Sequence, residues 1–211
     1  MSLEHKETVI CPNCKRENQI KIWQSLNGEL DPDAKQLLLE GTLFRFICQR
    51  CCYVSNLNYE LLYHDMKHQT MVYYVSLHSI EKTNDMINTA EDTLRGGMSG
   101  YSVRIATSQE TLREKAMIFE SGLDDRIVEI MKLFALSSAR DKFPEAIIED
   151  VFFCLISNEE LVFELAGVRT LRANIPIAVY EKLREDYKAK LELVGNIESM
   201  INYEWAVNFI N

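Results

Sequence analysis

Two pairs of cysteines with the same spacing are the residues of this chain best suited to chemistry. Cys11 and Cys14 lie in the run C-P-N-C, and Cys48 and Cys51 lie in the run C-Q-R-C. Two cysteines three positions apart can reach one ion across a tight turn, and four thiolates at tetrahedral corners are what a structural zinc ion requires. Such a turn also aims backbone N–H groups at the sulfurs. The spacing therefore predicts one structural zinc site with these four ligands.

A redox dithiol is the alternative interpretation of the first pair, because C-P-N-C also resembles the C-P-x-C of glutaredoxins. A redox dithiol needs its first thiol at the N-terminus of a helix, where the thiol pKa is lowered. Here Lys15–Glu17 leads into a strand pattern instead, and a second cysteine pair completes a set of four ligands. The pattern therefore favours structural zinc.

Two further cysteines need a separate interpretation. Cys52 could replace Cys51 as a ligand with C-x-x-x-C spacing, but the two-residue gap to Cys51 matches the first pair. We therefore predict that Cys52 is a spare thiol. Cys154 lies within V-F-F-C-L-I, where a free cysteine behaves as a small hydrophobic residue.

The run Y-H-D at residues 63–65 is the most suggestive cluster without cysteine. His64 could act as a general base or as a ligand of a second metal, with Asp65 supporting it. Adjacent residues on a strand point to opposite faces, so Asp65 cannot easily orient His64. The alternative is structural, with His64 bonded to the backbone near the cysteine-containing ribbon, and we prefer it. His5, His68 and His78 show no usable spacing.

Three carboxylates, Glu120, Asp124 and Asp125, lie close together where one predicted helix ends and the next begins. A carboxylate at a helix N-terminus interacts favourably with the helix dipole, so we expect Asp124 or Asp125 to serve that role. A second metal site at this junction is the alternative.

Length and charge limit the classes of function. The 211 residues suffice for one large or two small domains, and no apolar run approaches the ~18 residues that span a bilayer. With no secretory signal pattern either, we expect a cytoplasmic protein without a membrane segment. The formal net charge is 23 − 32 = −9, which leaves no basic stripe for phosphate contacts. Nucleic acid is therefore not an expected partner.

Local patterns in the first part predict a β-rich ribbon with a short helix inserted between the cysteine pairs. Asp31 is the expected N-cap of that helix, Pro32 suits its first turn, and Gly41 suits a left-handed exit. Alternating or β-branched runs predict strands at 18–24, 42–47, 53–59 and 70–77. The first eight residues look like a polar, frayed lead-in.

The second part predicts an α+β domain, so the whole chain is α+β. Strand patterns occur at 101–105, 151–156, 161–165 and 171–175, and helical patterns at 107–119, 123–134 and 176–195. Residues 203–211 carry Trp205 and Phe209, which we expect to dock on the core. The predicted domains are residues 1–77, a connector at 78–100 with a glycine-rich hinge at 95–100, and residues 101–211.

These motifs, in this order, resemble the CpXC family, a prokaryotic zinc-ribbon-like group. The resemblance is carried by C-P-N-C, W-Q-S-L-N, D-P-D-A-K-Q-L-L-L-E-G, F-I-C-Q-R-C, L-L-Y-H-D-M, V-Y-Y-V and the run that starts R-I-A-T-S-Q-E-T-L-R. It covers about residues 9–132 and extends more loosely over the rest. The chain departs from the pattern at Cys52, where such knuckles usually place glycine. The resemblance implies metal binding and no assigned reaction.

Three hypotheses about function remain. The preferred one is a zinc-binding interaction or regulatory module without catalytic activity, whose partner is another protein or a second copy of itself. The second is a zinc ribbon associated with nucleic acid, which the net charge disfavours. The third is an enzyme that uses His64 or the carboxylates of Glu120, Asp124 and Asp125, although the sequence offers no nucleophile–base pair.

Overall fold

The computed structural model describes residues 1–93, 100–195 and 198–211, which form ten strands, six α-helices and a short 3₁₀ turn at Leu77–Ser79. The predicted glycine-rich hinge lies outside the described residues except for Gly100. The strands are β1 (Leu3–Ile10), β2 (Glu17–Asn27), β3 (Arg45–Ile47), β4 (Val54–Asn56), β5 (Leu61–Asp65), β6 (Thr70–Tyr74), β7 (Ser102–Ala106), β8 (Ile148–Ser157), β9 (Glu160–Gly167) and β10 (Leu171–Pro176). The helices are α1 (Pro32–Leu39), α2 (Ile80–Thr93), α3 (Gln109–Glu120), α4 (Asp125–Lys142), α5 (Ile177–Val194) and α6 (Tyr203–Ile210). The mixture of helices and strands confirms the predicted α+β class.

The chain divides into two compact units, Met1–Arg113 and Glu114–Asn211. The sequence assigned the strand at 101–105 to the second domain, whereas β7 pairs in parallel with β6 in the first unit. The predicted limits of 1–77, 78–100 and 101–211 therefore differ from this division. Whether those limits mark independently folding domains stays a prediction.

The first unit contains a mixed sheet with the strand order β1-β2-β5-β6-β7. β1 with β2 and β5 with β6 are antiparallel pairs, whereas β2 with β5 is a parallel pair. Parallel neighbours need a long crossover connection. Here that connection contains α1 and the small antiparallel hairpin β3–β4. The two cysteine pairs thus lie on separate turns, one between β1 and β2 and the other at the tip of the β3–β4 hairpin.

The prediction of a frayed lead-in at residues 1–8 was wrong. Leu3–Ile10 forms β1, which pairs along its length with β2, although its side chains are exposed or nearly so. An edge strand without a buried face shows no apolar alternation, so the periodicity of its side chains does not reveal it. The backbone hydrogen bonds to β2 hold it in place instead.

Helix α1 begins and ends close to the predicted residues. Pro32 lies in its first turn, and Gly41 has a φ of 74°, so the left-handed exit is confirmed. Asp31 occupies the N-cap position but makes no capping bond with its side chain. Instead the carboxamide oxygen of Asn27 accepts from the N–H groups of Glu29 and Leu30 just before the helix.

The second unit packs helices on one face of an antiparallel sheet with the order β10-β9-β8. Strand β9 alternates buried and half-buried residues, and its buried face contacts α4 together with residues of α5 and α6. Trp205 and Phe209 of α6 are buried in this core, with ring centroids 4.8 Å apart, as expected for the C-terminal tail. This two-layer arrangement supplies the main apolar core of the unit.

A network of buried charges lies within the second unit. Lys132 Nζ donates to Glu114 at 2.7 Å and to Glu129 at 3.1 Å, and Lys115 Nζ donates to Asp125 at 2.8 Å and to Glu129 at 3.2 Å. Burial by itself lowers the pKa of Lys132, but the neighbouring carboxylates of Glu114 and Glu129 outweigh this effect, so the pKa is raised. Each of the two lysines therefore has carboxylate partners, as buried charges require.

No helix in the part of the chain that the structure describes is both long and apolar enough to cross a membrane.

Candidate metal centre

The first cysteine pair lies on a tight turn between β1 and β2. The N–H of Lys15 donates to the carbonyl of Cys11 at 2.9 Å, and the N–H of Cys11 donates to the carbonyl of Arg16 at 2.9 Å. Lys15 has a φ of 59°, so the chain turns sharply directly after Cys14. The turn brings both thiols to the same side.

The second pair repeats this turn residue by residue. The N–H of Cys52 donates to the carbonyl of Cys48 at 2.9 Å, and the N–H of Cys48 donates to the carbonyl of Tyr53 at 2.9 Å. Cys52 has a φ of 57° and is exposed, so it occupies the position that Lys15 has in the first turn. Cys51 corresponds to Cys14. The backbone thus matches the predicted register, with Cys52 outside the cluster.

The four sulfurs of Cys11, Cys14, Cys48 and Cys51 lie within 4.8 Å of one another. The Sγ atoms of Cys11 and Cys51 are 3.7 Å apart and those of Cys14 and Cys48 are 3.6 Å apart. A disulfide would require about 2.0 Å. Four sulfurs each about 2.3 Å from a central ion would be about 3.8 Å apart at tetrahedral corners. The donor set and its spacing therefore fit a tetrahedral metal ion.

Hydrogen bonds and charge make the four thiols inequivalent. The backbone N–H groups of Cys51 and Arg50 lower the pKa of Cys48 to about 6, and the N–H of Tyr53 lowers the pKa of Cys51. The N–H of Arg16 acts in the same direction on Cys14, but burial and the neighbouring sulfurs raise its pKa to about 11. Four thiolates this close repel one another, so a divalent cation is needed for all of them to ionise together.

A small apolar layer covers the cluster. Cys11 and Cys48 are fully buried beside Phe46, and Val9 and Ile20 pack against them. Such a layer excludes water and strengthens the electrostatic attraction between thiolates and a cation.

Asn18 joins the two cysteine turns, and the sequence analysis missed it. Its side-chain N–H donates to the carbonyl of Arg16 at 3.0 Å, and its side-chain oxygen accepts from the N–H of Gln49 at 3.1 Å. Arg16 closes the first turn and Gln49 lies inside the second. Only 6% of Asn18 is exposed. An asparagine at the start of a predicted strand was the available signal. Its partner Gln49 lies 31 residues away, and local spacing does not predict such a distant contact.

His64 and Asp65 do not form the pair that the hypothesis of a catalytic His64 requires. His64 Nε2 lies 3.2 Å from the hydroxyl of Tyr101. The structural alternative expected a bond from His64 to the backbone, so the observed partner differs from that expectation too. Burial lowers the pKa of His64. The carboxylate of Asp65 is fully buried and bonds to His68, as the opposite faces of a strand imply.

Asp65 is the centre of a polar cluster in the first unit. Its carboxylate accepts from the side chains of Lys35 and Tyr63 at 3.2 Å each and from Nδ1 of His68 at 3.0 Å. The N–H of His68 also donates to it at 3.0 Å. Burial opposes ionisation, but His68 and Lys35 hold the pKa of Asp65 well below its usual range. The cluster attaches α1 to β5.

The acidic junction in the second unit has structural partners. Asp124 caps α4 by accepting from the N–H of Arg126 at 2.9 Å, which confirms the expected helix-terminal role. Asp125 is buried and pairs with Lys115, whereas Glu120 is exposed. Among the described residues, Glu120, Asp124 and Asp125 are not grouped as ligands of one ion.

Two turns that each contribute a C-x-x-C pair bring four cysteine sulfurs close enough together to hold one metal ion. Residues 9–132 match the model of the CpXC protein family, so this chain belongs to the CpXC family and the resemblance seen in the sequence is confirmed. No curated protein and no solved structure shows a significant match to the chain.

We predict that Asn18→Ala lowers metal affinity by about 10- to 100-fold, because both cysteine turns lose a bond that orients them. Cobalt(II) is a suitable probe, since its thiolate charge-transfer absorption reports binding by sulfur and can be titrated against a chelator. Gln19→Ala is the matched control, because Gln19 is the exposed neighbour on the same strand. Equal affinities for the two variants would contradict a positioning role for Asn18.

We predict that Asp65→Asn lowers the free energy of unfolding at pH 7 by about 3 kcal/mol, because Lys35 then lacks its buried counter-charge. Folding lowers the pKa of Asp65, so its contribution is fully present above the unfolded value of about 3.9 and declines as the pH falls from that value towards the lower folded pKa. Urea unfolding should therefore show the difference shrinking from pH 7 to pH 3. Asp186→Asn, which alters an exposed carboxylate on α5, is the control. A difference that is constant with pH would refute this account.

Proposed function

We propose that Cys11, Cys14, Cys48 and Cys51 hold one zinc ion and that the protein is an interaction or regulatory module without catalytic activity. The observation that carries the proposal is the geometry of the four sulfurs, which lie within 4.8 Å of one another and include two pairs 3.6 and 3.7 Å apart. Tetrahedral sets of four thiolates suit zinc or iron–sulfur chemistry. Zinc is preferred because the two turns enclose a single point, as in structural zinc sites.

The closed coordination supports a structural role. A catalytic zinc has three protein ligands and an open position for water or substrate, whereas four cysteines fill all four positions. When bound, the ion would neutralise part of the thiolate charge and cross-link the two turns. A zinc ion with four thiolates would keep a net negative charge. Basic residues next to the ligands in sequence favour that charge, namely Lys15, Arg16 and Arg50.

An exposed apolar pair on the hairpin that carries the second cysteine turn supports binding of a protein partner. Ile47 of β3 and Val54 of β4 lie directly opposite each other, and both are exposed, as is the neighbouring Tyr53. Adjacent exposed apolar side chains on a small, rigid hairpin are typical of contact surfaces. We propose another protein, or a second copy of this chain, as the partner.

The other hypotheses receive less support. The net charge of −9 disfavours nucleic acid, because binding to phosphates depends on lysine and arginine. An enzyme based on His64 lacks the carboxylate that would orient it, since the Asp65 carboxylate bonds to His68. A cytoplasmic location remains part of the proposal, because a reducing compartment keeps four cysteines available as metal ligands.

We predict that the protein purified under reducing conditions contains one zinc ion per chain with four sulfur ligands. X-ray absorption at the zinc edge should give a single shell of sulfur at about 2.3 Å. Metal analysis of the same sample identifies the ion. Iron in place of zinc, or nitrogen or oxygen in the first shell, would contradict the proposed site.

Two variants test whether Cys51 or Cys52 is the fourth ligand. Cys51→Ser should lower zinc content strongly, whereas Cys52→Ser should keep one ion per chain because Cys52 is exposed and outside the cluster. The two variants differ only in which of two adjacent thiols is lost. The reverse result would move the ligand set by one residue.

We predict that removal of the metal with a chelator under reducing conditions increases hydrogen exchange at residues 9–18 and 45–56. The apolar layer around the cysteines is small, so metal binding supplies much of the folding free energy of these turns. Amides of α4 and β9 should stay protected, because the core of the second unit contains many buried apolar residues. Exchange followed by mass spectrometry measures both regions in one experiment.

The control for this experiment is Cys52→Ser, which should show the same change on chelation as the wild-type protein. If the hairpin stayed protected without metal, the ion would not be structural. If the whole chain lost protection together, the proposed independence of the second unit would be wrong.

A further inference from the structure

A cleft at one end of the three-stranded sheet in the second unit is lined by the α4–β8 and β9–β10 connections, at residues 143–147 and 168–170, and by flanking side chains. We call it the loop cleft. It has a volume of about 570 Å³, within the range of small-molecule sites in proteins. It is separate from the cysteine cluster, which belongs to the first unit. The proposed metal centre therefore does not account for it.

Three large apolar side chains at the loop cleft are open to solvent. The exposed fraction is 51% for Phe143, 63% for Ile147 and 77% for Val168. They come from two separate connections but line the same cleft. Single exposed apolar residues are common, whereas several around one concave site are typical of a ligand surface.

The backbone beneath the loop cleft is closely packed. Gly167, the last residue of β9, pairs with Ile148 of β8. A Cβ added to Gly167 would lie 1.9 Å from the carbonyl oxygen of Ile147. In addition, the N–H of Ala146 donates to the carbonyl of Phe143 at 2.9 Å, which closes a turn in the longer connection. The two connections are thus fixed to each other by main-chain contact that only glycine permits.

Two cations lie at the loop cleft, Lys142 at the end of α4 and Arg169 between β9 and β10. Neither forms an ion pair or side-chain hydrogen bond with any residue that the structure describes. One carboxylate, Glu145, also lines the cleft, so its local charge is +2 − 1 = +1 in a chain of net charge −9. Cations beside an exposed apolar surface are complementary to an anion that carries an apolar group.

We propose that the loop cleft binds a small amphipathic carboxylate, with its acid group between Lys142 and Arg169 and its apolar chain or ring against Phe143, Ile147 and Val168. Two cations among the lining residues favour the acid over a neutral or cationic analogue. The apolar side chains contribute affinity through the surface that they bury. This site is independent of the metal centre.

The test titrates three probes with the same ten-carbon chain into ¹⁵N-labelled full-length protein, each below the concentration at which it self-associates. The probes are decanoate, decanol and decyltrimethylammonium. Decanoate should shift the amide resonances of residues 143, 145–147 and 168–171 in a saturable way, and it should bind at least tenfold more tightly than the other two probes. Equal binding of decanoate and decanol, or shifts confined to other residues, would overturn the proposal.

Two pairs of substitutions test the parts of the site. Lys142→Glu with Arg169→Glu should raise the Kd for decanoate by tenfold or more, and Ile147→Ser with Val168→Ser should also raise it. Lys182→Glu with Lys188→Glu changes the net charge equally at two exposed positions of α5 and should alter the Kd by less than threefold. Equal effects of the two charge reversals would overturn the proposal.

A separate measurement tests whether the cleft binds a membrane surface and not a free carboxylate. Vesicles of zwitterionic lipid and vesicles containing anionic lipid are sedimented with the protein. We expect no binding to either, because the proposed ligand is a single molecule in the cleft. Binding to vesicles without binding to free decanoate would refute the proposal.

Discussion

The convergence of four sulfurs from two separate turns is the constraint on which the first unit depends. Cys11 and Cys51 are 40 residues apart, yet their Sγ atoms are separated by 3.7 Å. The residues between them contain α1 and β3, part of the crossover that places β5 parallel to β2. Closing a segment of this length costs conformational entropy, and few apolar residues surround the cysteines to offset it. A bound cation would offset both this cost and the repulsion between thiolates.

The sequence predicted what local chemistry determines. Equal C-x-x-C spacing gave the correct pairing of the two turns because each turn is closed by backbone bonds within six residues. Gly41 and Pro32 marked the ends of α1 for the same reason. The strand β1 was missed, since its stability comes from hydrogen bonds to β2 and not from a buried face. The domain limits were placed differently because the pairing of β7 with β6 is a long-range contact.

Polar contacts between distant residues explain the rest of what the sequence did not predict. Asp65 was considered as a partner of His64, the residue next to it, whereas it bonds to Lys35, 30 residues earlier, and to His68. Asn18 was read only as the start of a strand, although it bonds to residues in both cysteine turns. Side-chain types and spacing reveal such contacts only when both partners lie on one turn or one face.

Buried charges in both units are satisfied by side-chain partners within the unit, as Asp65 is by Lys35 and His68. In the second unit Glu114 accepts from Lys132 and from the N–H of Phe153 at 2.5 Å, so one carboxylate connects α3, α4 and β8. Burial raises the pKa of Glu114. Paired in this way, buried charges add little net stability but cost much when one partner is lost, so they select one arrangement of these elements over others. No external ligand is needed for that selection.

The cysteine cluster differs from these ion pairs, because four thiolates carry negative charge and cannot supply a positive charge to balance one another. Ionised together, they would require a cation, and a cation with four sulfur ligands has no position left for substrate. With such a closed site, the proposed function would depend on the surfaces that the two turns present and not on chemistry at the ion. The exposed pair of Ile47 and Val54 lies on the hairpin that ends in the second turn. In the proposed function, a surface on that hairpin would depend on the bound metal for its shape, so metal binding would be coupled to recognition of a partner without any reaction at the ion.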